Sequence, residues 1–582
     1  MRQEQQKKFI SYDGTEIFYR HWQSTEPTEN KQAIILFHRG HEHSGRIKHL
    51  VDELGLADFQ FFAWDARGNG QSDGVRGDAV NFAALVRDAH SFIEHIKNTY
   101  SLAEQDIAIV GQSVGAVIAS TLVHDYVPKI RALVLASPAF RIKLYIPFAI
   151  PGLSLLYNFA GNFFINSYVR PKLLTHDLAR AQSYSSDPLI TKPISVRLLL
   201  DLFATSKRIV KDAQAIQTPT QVLVSGSDYV VRRKPQKQFF DNLGATNKKY
   251  HVLSGFYHDT LGEKDRDIAL KHIKRFIVAC FATEPKTTSL LHADKSGYTC
   301  AESDALASPL SNIFKKIYWK STKASLKYAS KLSDGIKLGF DTGFDSGSTL
   351  DYVYRNQSSG ATGFGCFLDF KYLQSIGWRG IRQRKVHIEE LLKWAIASQQ
   401  KTQNSVNIVD IAAGHGRYIL DTISQLKHQP DSVLLRDYDQ NNVNQGLALI
   451  DAKGLSNIVR FEKGDAFNRQ ELSSLDIKPT LAVVSGLYEL FSDNEMVTNS
   501  LLGLADIMEE GSYLIYTGQP WHPQLEFIAR ALTSHREGQA WVMRRRTQLE
   551  MDQLVEQAGF SKIDMRIDEW GIFTVSIAKR VK

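Results

Sequence analysis

Cysteine is nearly absent from this chain of 582 residues. Its three thiols, Cys280, Cys300 and Cys366, are scattered and odd in number. That excludes a disulfide framework and points to reduced thiols in the cytosol. A large charge excess is missing too. The 70 basic and 62 acidic residues leave +8, compatible with attraction to anionic lipid headgroups, and no nucleic-acid partner is expected. The N-terminus, Met1-Arg-Gln-Glu-Gln-Gln-Lys-Lys8, lacks the apolar run of a signal peptide. No internal repeat and no long low-complexity tract is visible. His38, His41 and His43 are irregularly spaced, with no carboxylate or cysteine set to complete them, so no metal site is expected.

What is present is globular. Apolar residues make up 43% and charged residues 23%, and the length calls for two to four domains. One run, Leu144 to Ile165, goes 22 residues without a charge, long enough to span a bilayer. Pro147, Pro151, Gly152 and Gly161 interrupt it, so it reads as a mobile apolar lid that touches membranes or acyl chains.

The segment Asp106-Ile-Ala-Ile-Val-Gly-Gln-Ser113-Val-Gly-Ala-Val-Ile is an apolar strand, a Gly111-x-Ser113-x-Gly115 turn and a helix start. Such a turn lifts the serine Oγ to the head of a sheet, beside the positive end of a helix. The hydroxyl needs a base and an orienting acid. Gln221-Val-Leu-Val-Ser-Gly-Ser-Asp228 reads as a buried strand ending in an acid, and His258 follows a further short strand and a glycine turn. The order Ser113, Asp228, His258 is the α/β-hydrolase order. Asp259 is the rival acid, expected instead to cap the next helix, and His251 is expected within the strand.

The loops His38-Arg-Gly40-His-Glu-His-Ser-Gly-Arg46 and Asp65-Ala-Arg-Gly-Asn69-Gly-Gln-Ser-Asp-Gly74 resemble those of the monoacylglycerol lipase and lysophospholipase branch of the α/β-hydrolases, the serine aminopeptidase S33 group. The resemblance implies an oxyanion hole from the backbone N–H groups of Gly40 and Val114, and an acyl-ester lipid substrate. Arg39 stands where that pattern has glycine and Asn69 where it has histidine, which bears on the shape or charge of the acyl pocket. Val169-Arg-Pro-Lys-Leu-Leu-Thr-His176-Asp177 and Ser186-Asp-Pro-Leu189 resemble the same branch's lid region. A helix near Asp265–Phe281 is expected to close the fold.

A second chemistry follows. Val406-Asn-Ile-Val-Asp410-Ile-Ala-Ala-Gly414-His-Gly416 is a strand and a tight glycine turn, able to let a nucleotide-like ligand approach the backbone. Position 419 is isoleucine, so the third glycine of a dinucleotide fingerprint is missing. Further strands end at Asp437-Tyr438-Asp439, at Gly464-Asp465 and at Ser485-Gly486, and the tail Phe560–Lys579 alternates as an antiparallel hairpin. A seven-stranded sheet closed by such a hairpin resembles a class I S-adenosylmethionine-dependent methyltransferase. The whole chain resembles bacterial fusions of an α/β-hydrolase to that fold. By the resemblance Asp410, Gly414 and Gly416 cradle the methionine end of S-adenosyl-L-methionine, Asp437 with Asp439 holds the ribose, and Asp465 contacts the adenine amine. Tyr488, Trp521 and His522 are candidates for pocket lining. Asp351–Asn356 and Trp378–Arg382 either shape the acceptor site or pack as helices.

The expected architecture is α/β: an N-terminal α/β-hydrolase fold over 1–282 with a cap inserted at about 139–213, a linker with a basic helix over 283–349, and a C-terminal Rossmann-like seven-stranded methyltransferase fold over 350–582. The expected function is bifunctional: a cytoplasmic serine ester hydrolase, peripheral at the inner membrane, joined to a methyltransferase of unknown acceptor. The rivals are an active hydrolase or peptidase with a non-catalytic C-terminal binding module, and a peripheral membrane adaptor. For the basic stretch Ile313–Lys331 a solvated helix face is expected over a membrane-surface helix.

Overall fold

The computed structural model describes residues 2–26, 31–284, 288–402, 405–536 and 538–581. The chain divides into two compact units, Met1–Thr288 and Ser289–Lys582. Part of the expected polar connector, 285–287, lies outside the described residues.

The first unit is built on strands β1 (Glu4–Ile10), β2 (Glu16–Trp22), β3 (Gln32–Phe37), β4 (Phe59–Trp64), β5 (Ile107–Gln112), β6 (Ala132–Ala136), β9 (Thr220–Ser225) and β10 (Lys248–Leu253), with a small pair, β7 (Phe164–Asn166) and β8 (Pro193–Ser195), in the insertion. The eight-stranded sheet runs β1-β2-β4-β3-β5-β6-β9-β10. β1 and β2 pair antiparallel, as do β2 and β4, and every other pairing is parallel. The central strands are continuous apolar runs because helices cover both faces of the sheet: β5 and β6 are buried at every residue. The helices are α1 (Leu50–Glu53), α2 (Phe82–Tyr100), α3 (Val114–Asp125), α4 (Ala149–Ala160), α5 (Leu178–Ser186), α6 (Val196–Lys211), α7 (Arg233–Asn242) and α8 (Asp267–Phe281).

Helices α4, α5 and α6 with the β7–β8 pair form the insertion between β6 and β9. α4 is the charge-free run, and its 12 residues bury no side chain. Phe148 is 86% exposed and Phe159 83%. Proline and glycine cut the run well short of a bilayer-spanning helix. Among the described residues no helix is long and apolar enough to cross a membrane.

The second unit opens with six helices, α9 (Tyr298–Ala307), α10 (Ile313–Ala329), α11 (Asp334–Thr342), α12 (Gly347–Arg355), α13 (Gly363–Leu373) and α14 (Ile376–Lys401). The stretch read as a linker thus carries α9 to α11 and the start of α12, and Ile336, Phe344 and Val353 enter a core with Trp378, Ile381, Trp541 and Phe573. The sheet follows: β11 (Asn407–Asp410), α15 (Arg417–Ile423), β12 (Ser432–Asp437), α16 (Gln440–Ala452), β13 (Val459–Lys463), α17 (Arg469–Ser473), β14 (Leu481–Val484), α18 (Asn494–Ile507), β15 (Tyr513–Gly518), α19 (Leu525–Ala531), α20 (Gln548–Gln557), β16 (Phe560–Ile567) and β17 (Thr574–Arg580). Its order is β13-β12-β11-β14-β15-β17-β16. Five strands are parallel, and β17 lies antiparallel between β15 and β16. The seven strands and the closing hairpin are those of the Rossmann-like methyltransferase fold. The strand order reverses at β11, so the loops after β11 and β14 part there and leave a crevice at the carboxyl ends of the strands.

Candidate active sites

In the first unit, Ser113 sits between β5 and α3 at φ 54°, ψ −114°. A non-glycine residue holds such a conformation only where its surroundings enforce it. They do so here: a Cβ on Gly115 would stand 2.4 Å from the His38 carbonyl oxygen, so only glycine lets the turn pack against β3. Ser113 Oγ lies 2.8 Å from His258 Nε2. His258 Nδ1 lies 2.8 Å from Asp228 Oδ2. Asp228 Oδ1 accepts the N–H groups of Val230 and Val231 at 2.7 and 2.8 Å. Burial pushes the Asp228 carboxyl up, but the His258 charge and these hydrogen bonds outweigh it, and its pKa lies below the ordinary value. The geometry brings a serine hydroxyl, an imidazole and a carboxylate into one line.

Gly40 packs against the Val114 side chain. Val114 is the first residue of α3, where no helical carbonyl is available to its N–H. His38 fixes the loop: Nδ1 donates to the Arg39 carbonyl at 2.6 Å, and Nε2 accepts the Ala66 N–H at 2.9 Å. His43 Nε2 pairs with Asp187 Oδ2 at 3.0 Å. His251 lies in β10, stacked on His272.

Asp259 does not cap a helix. Its carboxylate accepts Arg180 Nε at 2.5 Å and Gln112 Nε2 at 3.1 Å, with Arg39 Nη2 at 3.6 Å. It precedes only the short turn Thr260–Gly262, to which its side chain gives no cap, and the two arginines take the carboxylate instead. Despite full burial, Arg180 and Arg39 hold the Asp259 carboxyl far below the usual range. Arg39 also donates to both oxygens of Glu42, at 2.9 and 2.5 Å. The arginine that replaces the expected glycine is thereby neutralised by two carboxylates and joined to Arg180 of α5.

A cavity of about 140 Å³ opens over Ser113, with Leu144, Ile165, Leu198 and Leu202 of the insertion among its walls. Its surface is apolar and suits an acyl chain.

In the second unit a cavity of about 370 Å³ lies where the loops after β11, β12, β13 and β14 converge. Gly414, Asp437, Asp439 and Asp465 line it. Asp437 is fixed by the Gly414 N–H at 2.9 Å, the Asp439 N–H at 2.9 Å and Asn442 Nδ2 at 3.0 Å. Asp439 accepts the Asn441 N–H as the cap of α16, and Asp465 accepts the Phe467 N–H. Ser485 Oγ is buried without a partner among the described residues, on the same wall. Acceptors at the strand ends and an orphaned hydroxyl suit a nucleoside ligand, so the cavity fits S-adenosylmethionine.

Two expected cofactor contacts fall elsewhere. Asp410 is wholly buried beneath the loop, where Tyr418 donates to it at 2.6 Å and the Ala412 N–H at 3.1 Å. Gly416 lies outside the lining, and a Cβ there would meet Leu435 at 2.6 Å. Both residues build the turn and do not face the cavity. Tyr488 points into the core toward Ser500, and Trp521 stacks under Arg545, whereas His522 lines a neighbouring apolar cavity. Asp351 and Tyr354 line the nucleoside-sized cavity, Trp378 and Ile381 the apolar one. His415 of the glycine turn, unremarked in the sequence, also lines the former, with Asp351 3.8 Å from its ring.

The family model described as "Putative methyltransferase" matches residues 273–580, and one described as "Serine aminopeptidase, S33" matches 28–265. The chain belongs to that methyltransferase family. It is similar to the uncharacterised protein YnbC of Escherichia coli, 52% identical over 575 residues, covering 98% of each chain. The hydrolase unit is similar to a monoacylglycerol lipase of Mycolicibacterium smegmatis, 22% identical over 278 residues, 47% of this chain and 96% of the relative. It is also similar to the monoglyceride lipase of Mus musculus, 26% identical over 255 residues, 43% of this chain and 82% of the relative. The chain therefore belongs to that methyltransferase family, and its first unit is similar to monoglyceride lipases.

Proposed function

We propose that this chain is a bifunctional enzyme: a serine ester hydrolase acting on acyl-ester lipids, joined to an S-adenosylmethionine-dependent methyltransferase. In the hydrolase unit Ser113 Oγ attacks the ester carbonyl as His258 takes its proton. His258 then returns that proton to the leaving alcohol, and Asp228 holds the imidazole and its positive charge. The N–H groups of Gly40 and Val114 receive the oxyanion. The observation that carries this reading is the contact chain Ser113–His258–Asp228, 2.8 Å at each link, on a serine held at φ 54°. The apolar cap walls and the exposed lid helix α4 support a lipid substrate met at a lipid surface.

In the methyltransferase unit Asp437 accepts the ribose hydroxyls, Asp465 the adenine amine, and the Gly414 turn admits the methionine end. S-adenosylmethionine, when bound, supplies an electrophilic methyl group, and the unit's own part is to align donor and acceptor.

The test is fatty-acid release from monoacylglycerol beside calorimetric binding of S-adenosylmethionine, in wild type, Ser113→Ala and Asp465→Ala. The first variant is expected to lose on the order of 10⁵-fold or more in kcat and keep the cofactor. The second is expected to do the reverse. A wild type that neither cleaves esters nor binds the cofactor overturns the reading.

A further inference from the structure

Next to the nucleoside-sized cavity lies a larger one of opposite chemistry. Its volume is about 510 Å³, within the range of sites that enclose a drug-sized or single-chain ligand. The two cavities share Asp345, Leu350, Gly486 and Leu490 in their walls, so they adjoin. Most of its surface is apolar, with Phe344, Trp378, Phe527, Trp541 and Phe573 among its large side chains, while Lys371, Tyr372, Arg384, Glu489 and His522 also reach it.

Its few polar atoms are distinctive. Glu489 commits Oε1 to the Thr517 hydroxyl at 2.6 Å and to Arg384 at 3.4 Å. Its Oε2 is buried without a partner among the described residues, as is Trp541 Nε1. His522 Nδ1 accepts the Gln524 N–H at 3.0 Å, and burial pushes its pKa down to about 3. The ring is therefore neutral, with its hydrogen on Nε2. A buried carboxylate oxygen lacking a donor is costly to maintain. An occupant that brings one O–H or N–H to Glu489 removes that cost.

Helix α10 tells which kind of molecule this is. Thr322, Ser325, Leu326 and Ala329 form one wall of the cavity. Outside, Ile313, Phe314, Ile317 and Tyr318 are exposed, Phe314 by 79%, and Lys315, Lys316, Lys320, Lys323 and Lys327 stand among them. Apolar side chains interleaved with lysines on an exposed helix match a surface that rests on anionic lipid.

We propose that this cavity is the methyl-acceptor site and that the acceptor is a lipid amphiphile, an apolar chain whose hydroxyl or amine group hydrogen-bonds Glu489. The inference rests on the methyltransferase reading above. In the transfer the acceptor oxygen or nitrogen lone pair forms the new bond to carbon, and its proton passes to Glu489 Oε2. The carbon–sulfur bond breaks with its electron pair kept by sulfur, so the sulfonium becomes a neutral thioether.

The test uses the full chain carrying Ser113→Ala, with 1-O-hexadecylglycerol as the hydroxyl probe and hexadecylamine as the amine probe. Neither contains an ester. Probe binding is read by tryptophan fluorescence, cofactor binding by calorimetry and methyl transfer by mass spectrometry. At least one probe is expected to bind and accept a methyl group. Ala329→Trp, which fills the cavity, is expected to abolish both, with cofactor affinity unchanged. Ser325→Trp on the same wall serves if that variant does not fold. Glu489→Gln is expected to weaken the probe by about tenfold. If the cofactor binds but no probe does, or if the filled variants bind a probe as wild type does, the acceptor inference is overturned and the methyltransferase reading stands. If the cofactor does not bind, both fall.

Discussion

Asp410 shows what a single buried carboxyl does to a whole unit. It is fully enclosed under the β11–α15 turn, and burial raises its pKa to about 7. Its unfolded value is near 3.9. A folded value above the unfolded one means that the folded state holds the proton across that interval, so stability falls as pH rises from about 4 to about 7 and levels off above. At about 1.4 kcal/mol per unit the span is on the order of 4 kcal/mol. Asp410→Asn is expected to flatten the profile. Melting temperatures between pH 5 and pH 7.5 check it, and a wild type whose melting point does not fall over that range refutes it. Ser113, Asp228 and His258 were legible because each ends a strand inside a recognisable local pattern. Asp410 was equally visible at a strand end, yet sequence does not tell whether such a carboxyl turns into a crevice or beneath a loop. The Arg384–Glu489 pair, 105 positions apart, left no local trace at all.

Between elements, α6 of the cap is tied to α3 behind the nucleophile by buried charges. His124 contacts Asp125 at 2.7 Å and Asp212 at 2.8 Å, and Arg208 donates to both oxygens of Asp125 at 2.6 and 2.8 Å. Burial lowers the His124 pKa, but the two carboxylates outweigh it and the net shift is upward. Its stabilisation is therefore complete below about pH 6.5, the unfolded value, and is lost as pH rises through the higher folded value. His124→Ala is expected to cost about 3–5 kcal/mol by leaving carboxylates buried and short of a partner. Denaturant unfolding at pH 6 and pH 9 measures it, with the gap between wild type and variant narrowing at the higher pH. The insertion itself was legible from its lack of charge, but α4 was not, because Pro151 and Gly152, read as interruptions, lie within it. The network was not, because aspartate and histidine on a helix look the same whether they face water or each other.

At the scale of the molecule, each unit closes its own core around its own sheet. Two heat-capacity transitions are expected. S-adenosylmethionine at a hundred times its Kd is expected to add about 2.7 kcal/mol to one of them and nothing to the other. A serine-directed phosphonate is expected to act on the other alone. A single transition that answers to both ligands contradicts the expectation. The two α/β folds were readable because strands separated by helices, and a terminal hairpin, leave strong periodicities. The helices at 298–342 were harder to place. A polar, lysine-rich stretch looks like a connector until the aromatic core that it covers is known.

Arg39 has a consequence for how this sequence can drift. Its partners Glu42 and Asp259 also serve Arg46 and Arg180, so three cations share two carboxylates, and Glu42 takes its hydrogen bonds from Arg39 alone among the three. Placing glycine at position 39 leaves Asp259 its Arg180 contact but takes both arginine hydrogen bonds from the buried Glu42, whose next cation, Arg46, stands 3.6 Å away. Positions 39 and 42 are therefore coupled: the loop accepts glycine at the first without leaving a buried charge short of donors only if the second changes with it.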